Sequence, residues 1–172
     1  MMKTIYTFVF LVLITGSLYA QKNQGITNPF TLSVGPEIQV PVGFFANYHS
    51  VGFGATAQGE YRVSQNFGLT LNAGFLLFPV KSTSTGSTTY LPVLGGVKYW
   101  LSDKSYIHGQ LGIALPTTPG GQGNFTYSPG IGFQLSRSID ALIKFVGISS
   151  NDASSNGLGN TVGLRLAYSF AH

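Results

Sequence analysis

Large apolar side chains alternate with small or polar side chains at a period of two residues along most of the chain after residue 30. A period of two is that of a β-strand, in which successive side chains point to opposite faces of the sheet. The clearest example is VGLRLAYSF at 162–170, where every second residue is large and apolar. The pattern predicts a sheet protein in which each strand has one apolar face and one polar face.

Eight such segments occur, and the connections between them have a pattern of their own. The predicted strands are 31–42, 50–63, 67–79, 90–101, 106–115, 125–136, 139–148 and 160–170. The seventh is the least regular, because Leu142, Val146 and Ile148 share the parity of its polar residues. Short connections alternate strictly with long, polar or glycine-rich ones. This arrangement is typical of an antiparallel meander with tight turns at one end and long loops at the other.

The scarcity of charge indicates which face is buried. Charged residues make up 8% of the chain, against about 25% in a typical soluble domain. A soluble barrel with the small polar face outside would therefore carry too few charges on its surface. With the apolar face outside, the glycine-rich polar face fits the narrow lumen of eight strands. The alternative is a soluble sandwich or lipocalin-type barrel that buries its apolar face.

The predicted fold class is therefore all-β: a closed eight-stranded antiparallel up-and-down transmembrane β-barrel. Lipid requires every backbone polar group to be paired, and among sheet structures only a closed barrel achieves this. The outward aromatic residues support the prediction, because they fall into two bands that would lie at the two membrane interfaces. One band is Tyr61, Phe67, Tyr99, Tyr168 and Phe170, and the other is Phe53, Phe75, Phe125 and Tyr127.

The N-terminal segment MMKTIYTFVFLVLITGSLYA predicts a cleavable signal peptide over 1–20, followed by a barrel domain over 21–172. It has a basic residue, Lys3, an apolar run of about ten residues and small residues before Gln21. As a helix this run is too short to span about 30 Å of hydrocarbon. The chain has no cysteine, which excludes disulfides and a lipoprotein anchor. The expected location is the outer membrane of a Gram-negative bacterium.

Three segments carry a resemblance to a known family. YLPVLGGVKYWL at 90–101, SDKSYIHGQLGIAL at 102–115 and GLRLAYSF at 163–170 resemble the small outer-membrane β-barrel-domain family, of OmpA/OmpX-type size. The resemblance implies a porin-like barrel among outer-membrane lipids, inserted by the barrel-assembly machinery and expected to be monomeric. Members often end on an aromatic residue, whereas here Ala171 and His172 follow Phe170.

The predicted lumen carries most of the charges of the strands. Three acids and four bases nearly neutralise one another there, beside one histidine. These residues are Glu37, Glu60, Arg62, Lys98, His108, Asp140, Lys144 and Arg165. Because buried charges must be paired or hydrogen-bonded, we expect a polar network that plugs the barrel, with Lys98 paired to Glu60 or Asp140. The alternative is a gated or narrow pore.

The outer half of the lumen is predicted to be apolar. The inward residues there are Leu76, Phe78, Tyr90, Leu94, Val146 and Ile148. Either they form a cup open to the outside that holds a small lipophilic ligand, or they pack against one another. Bulges near Pro36, Pro92 and Pro129 would alter this assignment, because a slip of one residue exchanges the two faces.

Nothing in the sequence points to catalysis. His49, His108 and His172 are dispersed, and none lies beside a serine and an acid, so no metal, cofactor or catalytic site is predicted. The basic residues are too scattered for nucleic acid. The expected role is structural or surface interaction through the long loops. The loop partner stays open, and a lipid-modifying enzyme is the remaining alternative.

Overall fold

A computed structural model describes residues 29–81, 86–118, 121–149 and 159–170. The predicted signal peptide, Ala171 and His172 lie outside these residues. The strands are β1 (Phe30–Val42), β2 (Gly52–Arg62), β3 (Phe67–Pro79), β4 (Ser87–Trp100), β5 (Ser105–Pro116), β6 (Asn124–Gln134), β7 (Ile139–Ile148) and β8 (Gly159–Ser169), and the helical turn α1 (Phe45–Tyr48) follows β1. The largest departure from the predicted bounds is β4, which begins three residues before Tyr90.

Each strand pairs with the next in an antiparallel ladder, and β8 pairs with β1 to close the barrel. This confirms the predicted closed eight-stranded antiparallel architecture. Two rims follow from the topology. The turn end carries the short connections 63–66, 101–104 and 135–138, and the loop end carries the long ones. α1 lies at the loop end, and no helix in the described ranges is long and apolar enough to cross a membrane.

The three short connections are built alike. In each, the first residue donates its N–H to a carbonyl four residues later at 2.9 Å: Val63 to Phe67, Leu101 to Ser105 and Leu135 to Ile139. Serine is the second residue of every turn (Ser64, Ser102 and Ser136). The Ser136 hydroxyl accepts the N–H of Ser138 at 3.3 Å and that of Ile139 at 3.1 Å. This repeated apolar residue followed by serine is a turn signal that strand periodicity does not include.

No bulge occurs at the three prolines, so the assignment of inner and outer faces is not altered there. The β1–β8 ladder runs from the pair Val34–Tyr168 to the pair Glu37–Arg165, so both strands advance three residues across Pro36. The β3–β4 and β6–β7 ladders likewise keep their registers past Pro92 and Pro129. Proline removes one N–H from one ladder while its φ stays near extended values. The neighbouring strand on the other side of each proline stays paired in register. The proline strand therefore does not need an extra residue.

The polar face points inward. Glu37 and Gln39 on β1 are 1% and 0% exposed, whereas Ile38 between them is 52% exposed. The same alternation runs along the other strands. Large aliphatic side chains cover the outside of the barrel at mid-height, and aromatic side chains lie near both rims. The core of the molecule is therefore its lumen, and the polar and charged side chains lie there.

Candidate functional site

The turn end of the lumen holds a buried ion pair. Lys98 Nζ on β4 lies 2.7 Å from Glu60 Oε2 on β2, and Arg62 Nε lies 3.5 Å from Glu60 Oε1. Lys98 also lies 4.1 Å from the centre of the Tyr106 ring, which adds a cation–π contact. Of the two acids predicted to meet Lys98, the structure brings Glu60 to it.

Asp140 has a different partner. The Tyr106 hydroxyl donates to its carboxylate, with distances of 2.8 Å and 2.7 Å to Oδ1 and Oδ2. The Tyr106 ring packs against Gly132, which leaves no room there for a side chain, and lies 4.9 Å from the Trp100 ring. Sequence reasoning missed Tyr106 as a lumen residue. Its parity was the available signal, because it is the parity of His108.

A second ion pair lies at mid-height. Lys144 Nζ on β7 is 2.8 Å from Glu37 Oε1 on β1, and both side chains are almost completely buried. The Gln39 amide also donates to Glu37 Oε1, and the Thr56 hydroxyl donates to Oε2 at 3.4 Å. Thr161 on β8 donates to Gln39. Three side chains, those of Lys144, Gln39 and Thr56, thus bond the Glu37 carboxylate, as a buried carboxylate requires.

Arg165 joins three strands across the closure of the barrel. Its Nε on β8 donates to Thr56 Oγ1 on β2 at 2.7 Å, and its Nη2 donates to Ser33 Oγ on β1 at 3.2 Å. The side chain is 1% exposed. Ser33, Thr56 and Thr161 were not predicted as site residues. Small hydroxyl side chains fit any narrow lumen, so their role depends on the register of β1, β2 and β8.

His108 and a belt of amides lie among these clusters. His108 Nε2 shares a hydrogen bond of 2.9 Å with Thr70 Oγ1 and joins no ion pair with any residue that the structure describes. Within the described residues, several neighbouring buried side chains keep a polar atom without a hydrogen-bond partner; they are Gln58, Asn72, Gln110 and Ser128. An unpartnered buried polar group costs about 1–3 kcal/mol. This belt is therefore the least well-bonded level of the lumen.

The eight predicted polar residues all lie on the inner face, but they do not form one network. Glu60, Arg62 and Lys98 form one ion cluster, and Glu37 and Lys144 form another. The Tyr106 hydroxyl holds Asp140, and the Thr56 hydroxyl links Arg165 to Glu37. Within the described residues there is no group of three or more metal-ligating side chains that could hold a metal ion.

The loop end of the lumen is apolar, but it is closed. Phe45 of α1 is 5% exposed and packs into one buried cluster with residues of four strands: Leu76, Phe78, Tyr90, Ala114, Val146 and Ile148. Leu94 is also buried and lines the small cavity that remains, whose volume is about 10 Å³. Of the two alternatives for these residues, the structure has the packed arrangement, in which a ring from the first loop also takes part. Strand periodicity carries no signal for Phe45, which lies outside any strand.

Several contacts hold Phe45 in place. The His49 ring stacks on it with ring centres 4.1 Å apart, and the Phe78 ring meets it edge-on at 5.2 Å. His49 Nε2 is 3.2 Å from Thr88 Oγ1, and Lys81 Nζ donates to the Ala46 carbonyl at 2.7 Å. Burial lowers the pKa of His49 below its usual 6.5, partly offset by the Phe45 backbone. We call Gly43–His49, with Phe45 inserted, the lid.

Comparison with known proteins is informative only at the level of structure. No protein-family model matches the chain, and no curated protein matches it in sequence. Among solved structures it is similar to Ail, the attachment invasion locus protein of Yersinia pestis (TM-score 0.55, 14% identity, 82% of this chain and 97% of that chain). It is also similar to the N-terminal β-barrel domain of Pseudomonas aeruginosa OprF (0.56, 12%, 81% and 97%).

Neisserial surface protein A is a third similar structure (TM-score 0.54, 8% identity, 84% of this chain and 98% of that chain). At these identities the likeness concerns the fold alone. Each of these proteins is matched over almost its whole length. The chain therefore has the fold of the small eight-stranded outer-membrane β-barrels.

Proposed function

We propose that this chain is an integral outer-membrane protein whose barrel is sealed and whose role is structural or surface interaction. The observation that carries the proposal is that apolar side chains cover the outside of the barrel and charged side chains are buried in its lumen. A soluble protein has the opposite arrangement. Leu71 and Leu111 are outward and 63% and 60% exposed, whereas Glu37 and Arg165 are each 1% exposed. Such an apolar outer surface is stable in lipid and favours aggregation in water. The fold shared with outer-membrane barrels supports the same location.

The contents of the lumen support a seal. An ion crossing it would have to separate Lys98 from Glu60 and Lys144 from Glu37, both buried pairs, and then pass the apolar cluster behind Phe45. Breaking one buried pair costs about 3–5 kcal/mol. Eight strands leave little lumen once side chains fill it. The long loops then provide the surface available to a partner outside the cell.

Two measurements test the proposal separately. A membrane barrel stays folded in detergent without heating, so its migration on a detergent gel should change on boiling. A chain that remains soluble and monomeric without detergent would refute the membrane assignment. In planar bilayers the refolded protein should show no stable conductance steps at voltages where a porin control conducts. A reproducible open level would refute the seal and favour a narrow pore.

We also propose that residues 1–20 direct export and that the chain is not an enzyme. N-terminal sequencing of the outer-membrane form should begin at Gln21, and an intact Met1 would contradict the assignment. The composition of lipid A should be unchanged when the protein is deleted. A change restored by the wild-type chain would favour the lipid-modifying alternative.

A further inference from the structure

We propose that the loop end of the lumen is a binding site for a single-ring aromatic molecule of low polarity and that Phe45 is a displaceable stand-in for that ligand. The inference concerns a site on the outer side of the seal and does not require ions to cross the barrel. It rests on the way the lid occupies the apolar cluster.

The site already accommodates an aromatic ring. The Phe45 ring enters the site from the helical turn α1 at the loop end. It stacks on the His49 ring at 4.1 Å and meets the Phe78 ring edge-on at 5.2 Å. Leu76, Val146 and Ile148 provide aliphatic contacts in the same cluster. The cavity that Leu76, Tyr90 and Val146 line next to this cluster has a volume of only about 10 Å³. A ligand therefore has to replace the ring, and one of similar size and shape recovers the same contacts.

The lid is a weakly built element, so replacement is possible. α1 is one turn of four residues with no side-chain cap at its N-terminus, and a helix of this length has little stability of its own. Gly43 precedes it at φ 62°, a left-handed conformation that glycine adopts without strain. On the other side, the His49–Val80 bridge and the Lys81–Ala46 bond tie the lid to the extension of β3. The lid can therefore move at Gly43 while remaining attached at His49.

The chemistry of the site indicates the ligand. Tyr90, Phe78 and Phe45 form a chain of edge-on ring contacts, with 6.2 Å between Phe78 and Tyr90, the geometry that aromatic rings prefer with one another. The cluster itself consists of apolar and aromatic side chains, and Lys144, which also lines the small cavity beside it, is paired with Glu37. A neutral aromatic ring gains from both features, whereas a charged or strongly hydrated molecule would lose its hydration without compensation.

Toluene binding, followed by methyl NMR of the protein in lipid nanodiscs, tests the proposal. The methyl groups of Leu76, Val146 and Ile148 report on the site. Those of Ile143 and Leu164, which face outward, report toluene dissolved in the lipid. We expect saturable shifts at the inner methyls of the wild type. Phe45→Ala should saturate at about tenfold lower toluene, because the closed state no longer competes. Phe53→Ala removes an exposed, outward ring of β2 outside the lid (54% exposed) and should behave as wild type.

A second variant keeps the test valid if Phe45→Ala fails to fold. Gly43→Ala adds a methyl group that meets nothing within 4 Å but strains the left-handed backbone, so it should open the lid and strengthen binding with the site unchanged. Saturation in Phe45→Ala alone would identify an engineered cavity and refute the proposal. Wild-type shifts that rise linearly with toluene concentration, or that are equal at the inner and outer methyl groups, would refute the proposal as well. The absence of any shift in the wild type would also refute it.

Discussion

Lys98 and Glu60 have side chains only 5% and 8% exposed, so each carries a charge that the lumen tolerates because of the other. Glu60→Gln or Lys98→Met alone leaves one buried charge without its nearest partner and should lower the free energy of unfolding by about 3 kcal/mol. The double variant removes both charges and should lose much less than the sum of the two. Denaturant unfolding in lipid vesicles measures all four proteins. Additive losses would contradict direct coupling between Lys98 and Glu60.

Two glycines with opposite surroundings provide a second test at the residue scale. A Cβ on Gly132 would collide with the Tyr106 ring, whereas one on Gly109 would meet nothing within 4 Å. Gly132→Ala should destabilise the barrel by about 1–3 kcal/mol, since the ring that bonds Asp140 must move. Gly109→Ala should stabilise it by about 0.5–1 kcal/mol, because glycine is unfavourable inside a strand. Equal effects in the same unfolding assay would show that the Tyr106 packing does not matter.

At the scale of elements, the lid should respond to acid. Because burial lowers the pKa of His49, the closed lid favours the neutral ring and the open lid binds protons more readily. The stability of the closed lid is therefore fully present above about pH 6.5 and is lost as pH falls through the lowered value. Amide exchange of Asn47, which donates to Phe44, should show falling protection factors over this range. His49→Gln should remove the pH dependence, and an unchanged slope would exclude His49 as its cause.

The strands could be predicted from sequence, and the lid could not. Alternation such as Val162, Leu164 and Leu166 against Gly163 and Arg165 gives both the element and its faces, because period two is a property of the single strand. Pairing Lys98 with Glu60 needs the registers of the two ladders that join β2, β3 and β4, which alternation leaves open. The lid depends on one turn outside any strand, so nothing periodic marks it.

For the whole molecule, the medium around the barrel determines how much an outward charge costs. Leu111, near the middle of β5, and Leu135, in a turn, are 60% and 64% exposed. In a bilayer, Leu111→Arg should cost about 2–4 kcal/mol, while Leu135→Arg at the rim should cost at most about 1 kcal/mol. Unfolding titrations in vesicles compare the two variants. Equal small effects would mean that both positions face water.

The bonds of Arg165 have a consequence for assembly. Its partners Thr56 and Ser33 lie 109 and 132 residues away along the chain, so these bonds form only when the first and last strands meet. Glu37 is its register partner across that seam. A seam closed two residues out of step would place the guanidinium opposite Gly35 or Gln39 instead, away from its hydroxyl partners. Arg165 thus makes misaligned pairing of the first and last strands costly, and it helps to select the native seam.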